Sequence, residues 1–215
     1  VKHTPLLPIF YDGKPHPWHG ISPGDNAPES IMAFIEMTPY DTVKYEIDKI
    51  SGYLKVDRPH RFSSLLPALY GFIPQTYCSS LTAEYFKEMS PEASVERGDK
   101  DPLDICVLSD RNIRRGNIIV PAIPIGGFRM LDGGEADDKI IAVLASDEFY
   151  TTWKDVNELP VAMVDRLKHY FLNYKQMPDE QAEVEIIATY GREEAHEVIR
   201  RSMLDYKKKF NGVFG

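Results

Sequence analysis

The chain has 215 residues, 43% of them hydrophobic and 27% charged, with a formal net charge of −8. That is enough apolar material for one sizeable core, and the acidic balance argues against nucleic acid as the main partner, because backbone binding needs a surplus of clustered Lys and Arg. Cys78 and Cys106 lack paired spacing, which argues against a disulfide framework or structural zinc and fits a cytoplasmic setting, and no apolar run approaches the roughly 18 residues of a membrane span.

Residues 1–28 are rich in Pro, Gly and His and show no sustained period, the pattern of an extended arm over the surface. His16 and His19 of HPWH could ligate metal, but histidines beside Pro17 and Trp18 in a docked arm read more simply as packing or capping groups. IMAFIEM, residues 31–37, reads as a strand. After the TPYDT turn, VKYEIDKISGYLKVDR alternates apolar and charged residues about Ser51-Gly52, a β-hairpin with Val43, Tyr45 and Ile47 on one face and Lys44, Glu46 and Asp48 on the other. LYGFIPQTYC is followed by a polar, Glu- and Ser-rich stretch at 79–98, read as a surface insertion with a short helical turn at most.

DICVL, NIIVPAIPIGGFRML and DKIIAVLA supply further β-rich runs, with turns expected at Arg115-Gly116, Gly126-Gly127 and Gly133-Gly134. Strands joined this closely suggest a closed or strongly curved sheet. The last third changes character. Val164, Leu167, Phe171 and Tyr174 recur at helical spacing behind Pro160, EVEIIATY reads as one more strand ended by Gly191, and EEAHEVIRRSMLDYKKKF reads as a second helix, acidic at its start and basic at its end. The whole is mainly β with flanking helices, an α+β chain forming a single domain over 1–215.

Chemistry is most concentrated in GDKDPLDICVL, where Asp99, Asp101 and Asp104 precede an apolar strand. Like charges this close oppose folding unless a cation or solvent compensates. Side chains two apart on an extended backbone share a face, and three hard oxygen donors suit Mg²⁺. An acidic solvated turn is the alternative, and the offsets of an EF-hand are absent. LDGGEADDKI offers Asp132, Glu135, Asp137 and Asp138 at the mouth of another strand, and two such clusters favour shared metal ions over two unrelated turns.

Taken with the Glu of FIEMTP, the KYEID strand, VDRP, LYGFIPQT and the YK pair of FLNYKQM, the DxDPxD pattern of GDKDPLD resembles the Mg²⁺-dependent, β-barrel type of soluble inorganic pyrophosphatase from about Glu36 to Lys175. The resemblance implies a closed five-stranded OB-like barrel with an extra hairpin and two helices in the C-terminal half. It implies Asp99, Asp104, Asp132 and Asp137 as metal ligands, with Glu36 and Glu46 reaching metal mainly through water, and Asp101 as general base. Lys44, Arg58, Tyr70, Lys139, Tyr174 and Lys175 fall on its phosphate-binding positions. It implies several Mg²⁺ ions, with Mn²⁺ or other divalent ions able to substitute, pyrophosphate as substrate, in-line attack by a metal-activated water, and a homo-oligomer in the cytoplasm without nucleic-acid or membrane partners.

A charge count makes physical sense of that set. Glu36, Glu46, Asp99, Asp101, Asp104, Asp132 and Asp137 outnumber Lys44, Arg58, Lys139 and Lys175, so the bare site should repel a polyanion and divalent ions should reverse its sign. Two departures from the family's compact bacterial pattern stand out: Lys100 where Gly is common, its side chain expected to point away from the Asp face, and Leu66 where Tyr is common. Glu135 and Asp138 are expected to be solvated or to lie behind the ligands. Tyr174 continues the helix's apolar stripe and could serve both core and site. Two other readings are a Mg²⁺-dependent hydrolase of nucleotides or polyphosphate, and a non-catalytic acidic metal-binding module that would not need the four cations.

Overall fold

Runs rich in Ile, Val and Phe at the positions read as strands do form them, because such side chains pack well on a pleated surface. The computed structural model describes residues 10–11, 14–60, 65–174 and 184–210. In chain order the strands are β1 (Phe10–Tyr11), β2 (Lys14–Pro15), β3 (Ile31–Met37), β4 (Val43–Ile47), β5 (Leu54–Pro59) and β6 (Leu69–Phe72), followed by helix α1 (Ser80–Met89). Next come β7 (Arg97–Gly98), β8 (Asp104–Leu108), β9 (Ile118–Asp132), β10 (Glu135–Ala136) and β11 (Lys139–Leu144), then α2 (Val161–Asn173), β12 (Val184–Gly191) and α3 (Arg192–Phe210).

Hydrogen-bonded neighbours run β11-β8-β6-β3-β9, and β9 also pairs β11, so five strands form a ring. The long β9 makes this possible by changing partner along its length: residues 118–122 pair β3, 122–128 pair β11, and 126–132 pair β12. β4 and β5 form a separate two-stranded sheet. In β8 and β11 alternate residues enter different apolar clusters. Ile105, Val107, Ile140 and Ala142 pack with Val198 and Ile199 of α3, while Cys106, Leu108, Ile141 and Val143 pack with Leu167 and Phe171 of α2. Burial on both faces is why these strands read as unbroken apolar runs. Both cysteines are free and buried.

Two expectations fail. Gly126-Gly127 is no turn: β9 runs straight through it, and a Cβ on Gly127 would stand 2.5 Å from the Tyr190 ring. The glycines let β12 approach rather than letting the chain reverse. The stretch after Cys78 holds a ten-residue helix instead of one short turn. Ser79 gives α1 no side-chain cap, but Asp205 of α3 does so from a distance, accepting from the backbone N–H groups of Ser79, Leu81 and Thr82 at 3.0–3.1 Å. Buried Ala83 and Phe86 then pack with Val95 and Ala136.

The HPWH histidines are packing and capping groups. His16 Nδ1 accepts from Trp18 N at 3.2 Å, His19 Nδ1 meets the Tyr206 hydroxyl at 2.8 Å, and Trp18 lies among Phe34, Ile47, Phe72 and Tyr77. Burial pushes the His19 pKa down to about 4, and His16 beside it acts in the same direction. The unfolded chain therefore takes up a proton near pH 6.5 that the native state refuses until about pH 4, so this group's stability contribution is lost as pH falls through that window. Wild type is expected to lose its advantage over His19→Gln in urea midpoint as pH drops from about 7 to about 5. Titrations common to both chains cancel, and an advantage that stays constant or grows contradicts the account.

Candidate active site

The acidic loop is held largely through its backbone. Lys100 N and Cys78 O, Cys78 N and Asp101 O, and Ile73 N and Leu103 O are each 2.9 Å apart, and Leu103 N donates to Thr76 Oγ1 at 2.9 Å. FIPQTYC is thus the splint on which Asp99–Asp104 is mounted. Beyond it Asp104 opens β8 directly opposite Lys139 at the start of β11. Asp132 ends β9, and Gly133 and Gly134, at φ of 55° and 86°, turn the chain so that Asp137 follows on the same side.

These elements surround one cleft of about 220 Å³. Eleven of the expected residues line it: Glu36, Lys44, Glu46, Tyr70, Asp99, Asp101, Asp104, Asp132, Asp137, Lys139 and Tyr174. Arg58 stands behind them, 2.9 Å from Asp57 and with its guanidinium 5.7 Å from the centre of the Tyr174 ring. Tyr174 lines the cleft and stacks on Tyr170 at 5.1 Å. Lys175 lies outside the described residues.

Crowding and burial together make Asp99, Asp104 and Glu36 costly to ionise. Desolvation, then Asp137, raises Asp99, and desolvation raises Asp104 despite Lys139 beside it. Glu36 is pushed up to about 8 by burial and then by Asp104, although its Oε1 accepts from Ile47 N at 2.7 Å. Lys139 is 3% exposed, and its ammonium donates to both Asp104 and Asp137. Burial opposes its charge, but the two carboxylates reverse the effect and its pKa is raised. Tyr70 donates to Asp104 at 2.5 Å. Lys44, held by Asp57 at 2.9 Å and Glu46 at 3.3 Å, is likewise raised against the opposing effect of burial.

The donor set fits hard divalent cations. Asp104 and Asp137 already share one ammonium group, as two carboxylates placed around a cation would. Among the described residues no three His, Cys, Asp or Glu side chains stand close enough together to hold a metal ion by themselves.

Of the two places expected for Asp138, in solvent or behind the ligands, it takes the buried one, beside Arg129 and Tyr190, with its pKa pushed up to about 7 by desolvation. Glu135 lines the cleft and pairs Arg97 at 2.8 Å. Sequence reading missed Asp57, the partner of Lys44, although VDRP contains it, and it missed Lys49, which lines the cleft and donates to Asp101.

Lys100 does face away, lining a separate cavity with Lys87 and Arg97. Its φ is 65°, a left-handed conformation that costs a side-chain-bearing residue about 1 kcal/mol. That is the physical reason glycine suits this position. Lys100→Gly should raise stability by roughly 0.5 kcal/mol once glycine's larger unfolded-state entropy is subtracted, read as a higher urea midpoint at unchanged slope. A lower midpoint contradicts the strain argument.

This arrangement of fold and cleft has close relatives. The inorganic pyrophosphatase of Chlamydia muridarum is 49% identical over 215 residues, covering 98% of this chain and 100% of that one. That of Chlamydia caviae is 48% identical over 216 residues, covering 98% and 97%. The crystal structure of inorganic pyrophosphatase from Thermus thermophilus superposes with a TM-score of 0.72 at 29% identity, covering 87% of this chain and 97% of that one. The family described as inorganic pyrophosphatase matches residues 33–207, and the chain belongs to that family.

Proposed function

We propose that the chain hydrolyses inorganic pyrophosphate to two orthophosphates in this cleft, with Asp101 as general base and divalent cations among Asp99, Asp104, Asp132 and Asp137. The observation that carries the reading is the charge of the cleft wall. Eight carboxylates, counting Glu135, face three ammonium groups, a surface that repels a polyanion until cations reverse its sign. Divalent ions, Mg²⁺ or Mn²⁺, would supply that reversal and lower the pKa of a bound water.

The chain's own groups then have distinct work. Asp101 is half-exposed at the cleft and held through its backbone and by Lys49, so its carboxylate is placed to orient water and accept a proton. Lys44, Lys139 and the Tyr70 and Tyr174 hydroxyls can bind phosphoryl oxygens, with Arg58 and Lys175 completing the cationic side. Glu36 and Glu46, which also line the cleft, would reach the cations mainly through water. The five-strand ring supports the finer reading of a closed OB-like barrel. Among the described residues no helix is long and apolar enough to cross a membrane. A cytoplasmic homo-oligomer belongs to the same reading, and light scattering tests the association.

The substrate assignment is tested by phosphate release from pyrophosphate, ATP and tripolyphosphate in Mg²⁺. Release confined to pyrophosphate is the expected result. Comparable release from ATP or tripolyphosphate would move the protein to a broader phosphoanhydride hydrolase.

A further inference from the structure

We infer that Lys49 couples the two kinds of ligand, weakening divalent-cation binding when no anion is present and strengthening anion binding once cations are in place. The inference rests on the site reading above. Lys49 projects from the tip of the β4–β5 hairpin, lines the cleft, and donates to the Asp101 carboxylate across it. It is therefore a cation of the site facing the acidic loop from the opposite wall.

The tip that carries it is built to hold its position. Asp48 Oδ1 accepts from Ser51 N at 2.8 Å and Ser51 Oγ at 2.7 Å, and the backbone closes with Asp48 N to Tyr53 O at 2.8 Å. Beneath it lies the HPWH segment, so close that a Cβ on Gly52 would stand 2.8 Å from Pro17 and 2.9 Å from His16. The buried His16 and Pro17 thus brace the turn from below, which gives the N-terminal motif a consequence at the cleft.

Charge then fixes the sign of the effect. A divalent ion entering among the carboxylates beside Asp101 meets the like charge of Lys49 on the opposite wall, so Lys49 opposes it. A bound pyrophosphate offers Lys49 a new partner of opposite charge, so the same side chain favours the anion. Linkage makes the two effects one coupling: the anion raises cation affinity partly through Lys49, and the cation raises anion affinity by the same factor.

Lys49→Met separates this from a merely structural role. Its side chain is 52% exposed, so folding should survive, with the thermal midpoint as control. Calorimetric titration with Mn²⁺ alone should show binding roughly threefold to fivefold tighter in the variant, the range an exposed ion pair supports. Methylenediphosphonate, a non-hydrolysable pyrophosphate analogue, should bind in Mg²⁺ weaker by a similar factor. Lys49→Arg should stay near wild type in both. A loosened hairpin would weaken both ligands together, and that result, or unchanged Mn²⁺ affinity, overturns the inference. Wild type that binds no Mn²⁺ would instead remove the site reading beneath it.

Discussion

Asp101→Asn is expected to lower pyrophosphate turnover by about 10²- to 10⁴-fold, the range a positioned general base supplies. The backbone of Asp101 is fixed independently of its carboxylate, by Cys78 N to Asp101 O at 2.9 Å and Asp101 N to Asp99 Oδ1 at 2.9 Å. An isosteric amide should therefore leave the loop in place. The change removes one exposed ion pair with Lys49, a stability effect of about 1 kcal/mol or less. A large loss of turnover with thermal midpoint and Mn²⁺ affinity near wild type is the signature of lost proton transfer. Near-normal phosphate release would show that Asp101 is not the base.

Lys139→Ala is expected to have the largest effect on stability, and one that depends on metal. With 3% of its surface exposed, Lys139 is the shared cation of Asp104 and Asp137. Breaking a buried pair by removing one partner costs about 3 kcal/mol, because the remaining charges are left uncompensated. A divalent ion that binds the same carboxylates in the native state alone restores part of that loss by mass action. The thermal midpoint of the variant should thus fall well below wild type in EDTA and recover much of the gap in Mg²⁺, while turnover stays low for want of a phosphate donor. A deficit equal in EDTA and Mg²⁺ would mean that the cation does not bind where Lys139 stands.

How much of this was legible in the sequence differs by feature. IMAFIEM was readable as a strand because burial on both faces leaves a short, nearly unbroken apolar run, and it coincides with the observed β3, buried at six of its seven positions. Gly126-Gly127 misled because a glycine pair signals equally a reversal or a close approach, and only the partner strand decides. α1 was hidden by its acid-rich composition, since its cap comes from Asp205, more than a hundred residues away. In the site, the crowding of acids in GDKDPLD was informative because like charges this close call for a cation, but strand alternation does not hold there: Lys100 is left-handed at φ 65°, so a turn and not extended backbone brings Asp99 and Asp101 to the cleft. Lys49 was not, because a turn releases its residues from that alternation. The individual roles of the residues came from family resemblance and not from spacing, and they stand as the proposals made above.

On the proposed reading this cleft works only when divalent cations reverse its charge. The most direct measurement is the rate of pyrophosphate hydrolysis by chelator-treated protein as Mg²⁺ is added back. The account predicts no measurable turnover in EDTA and a rise with Mg²⁺ steeper than first order, because more than one ion is needed. Turnover in EDTA equal to that in Mg²⁺ would contradict it.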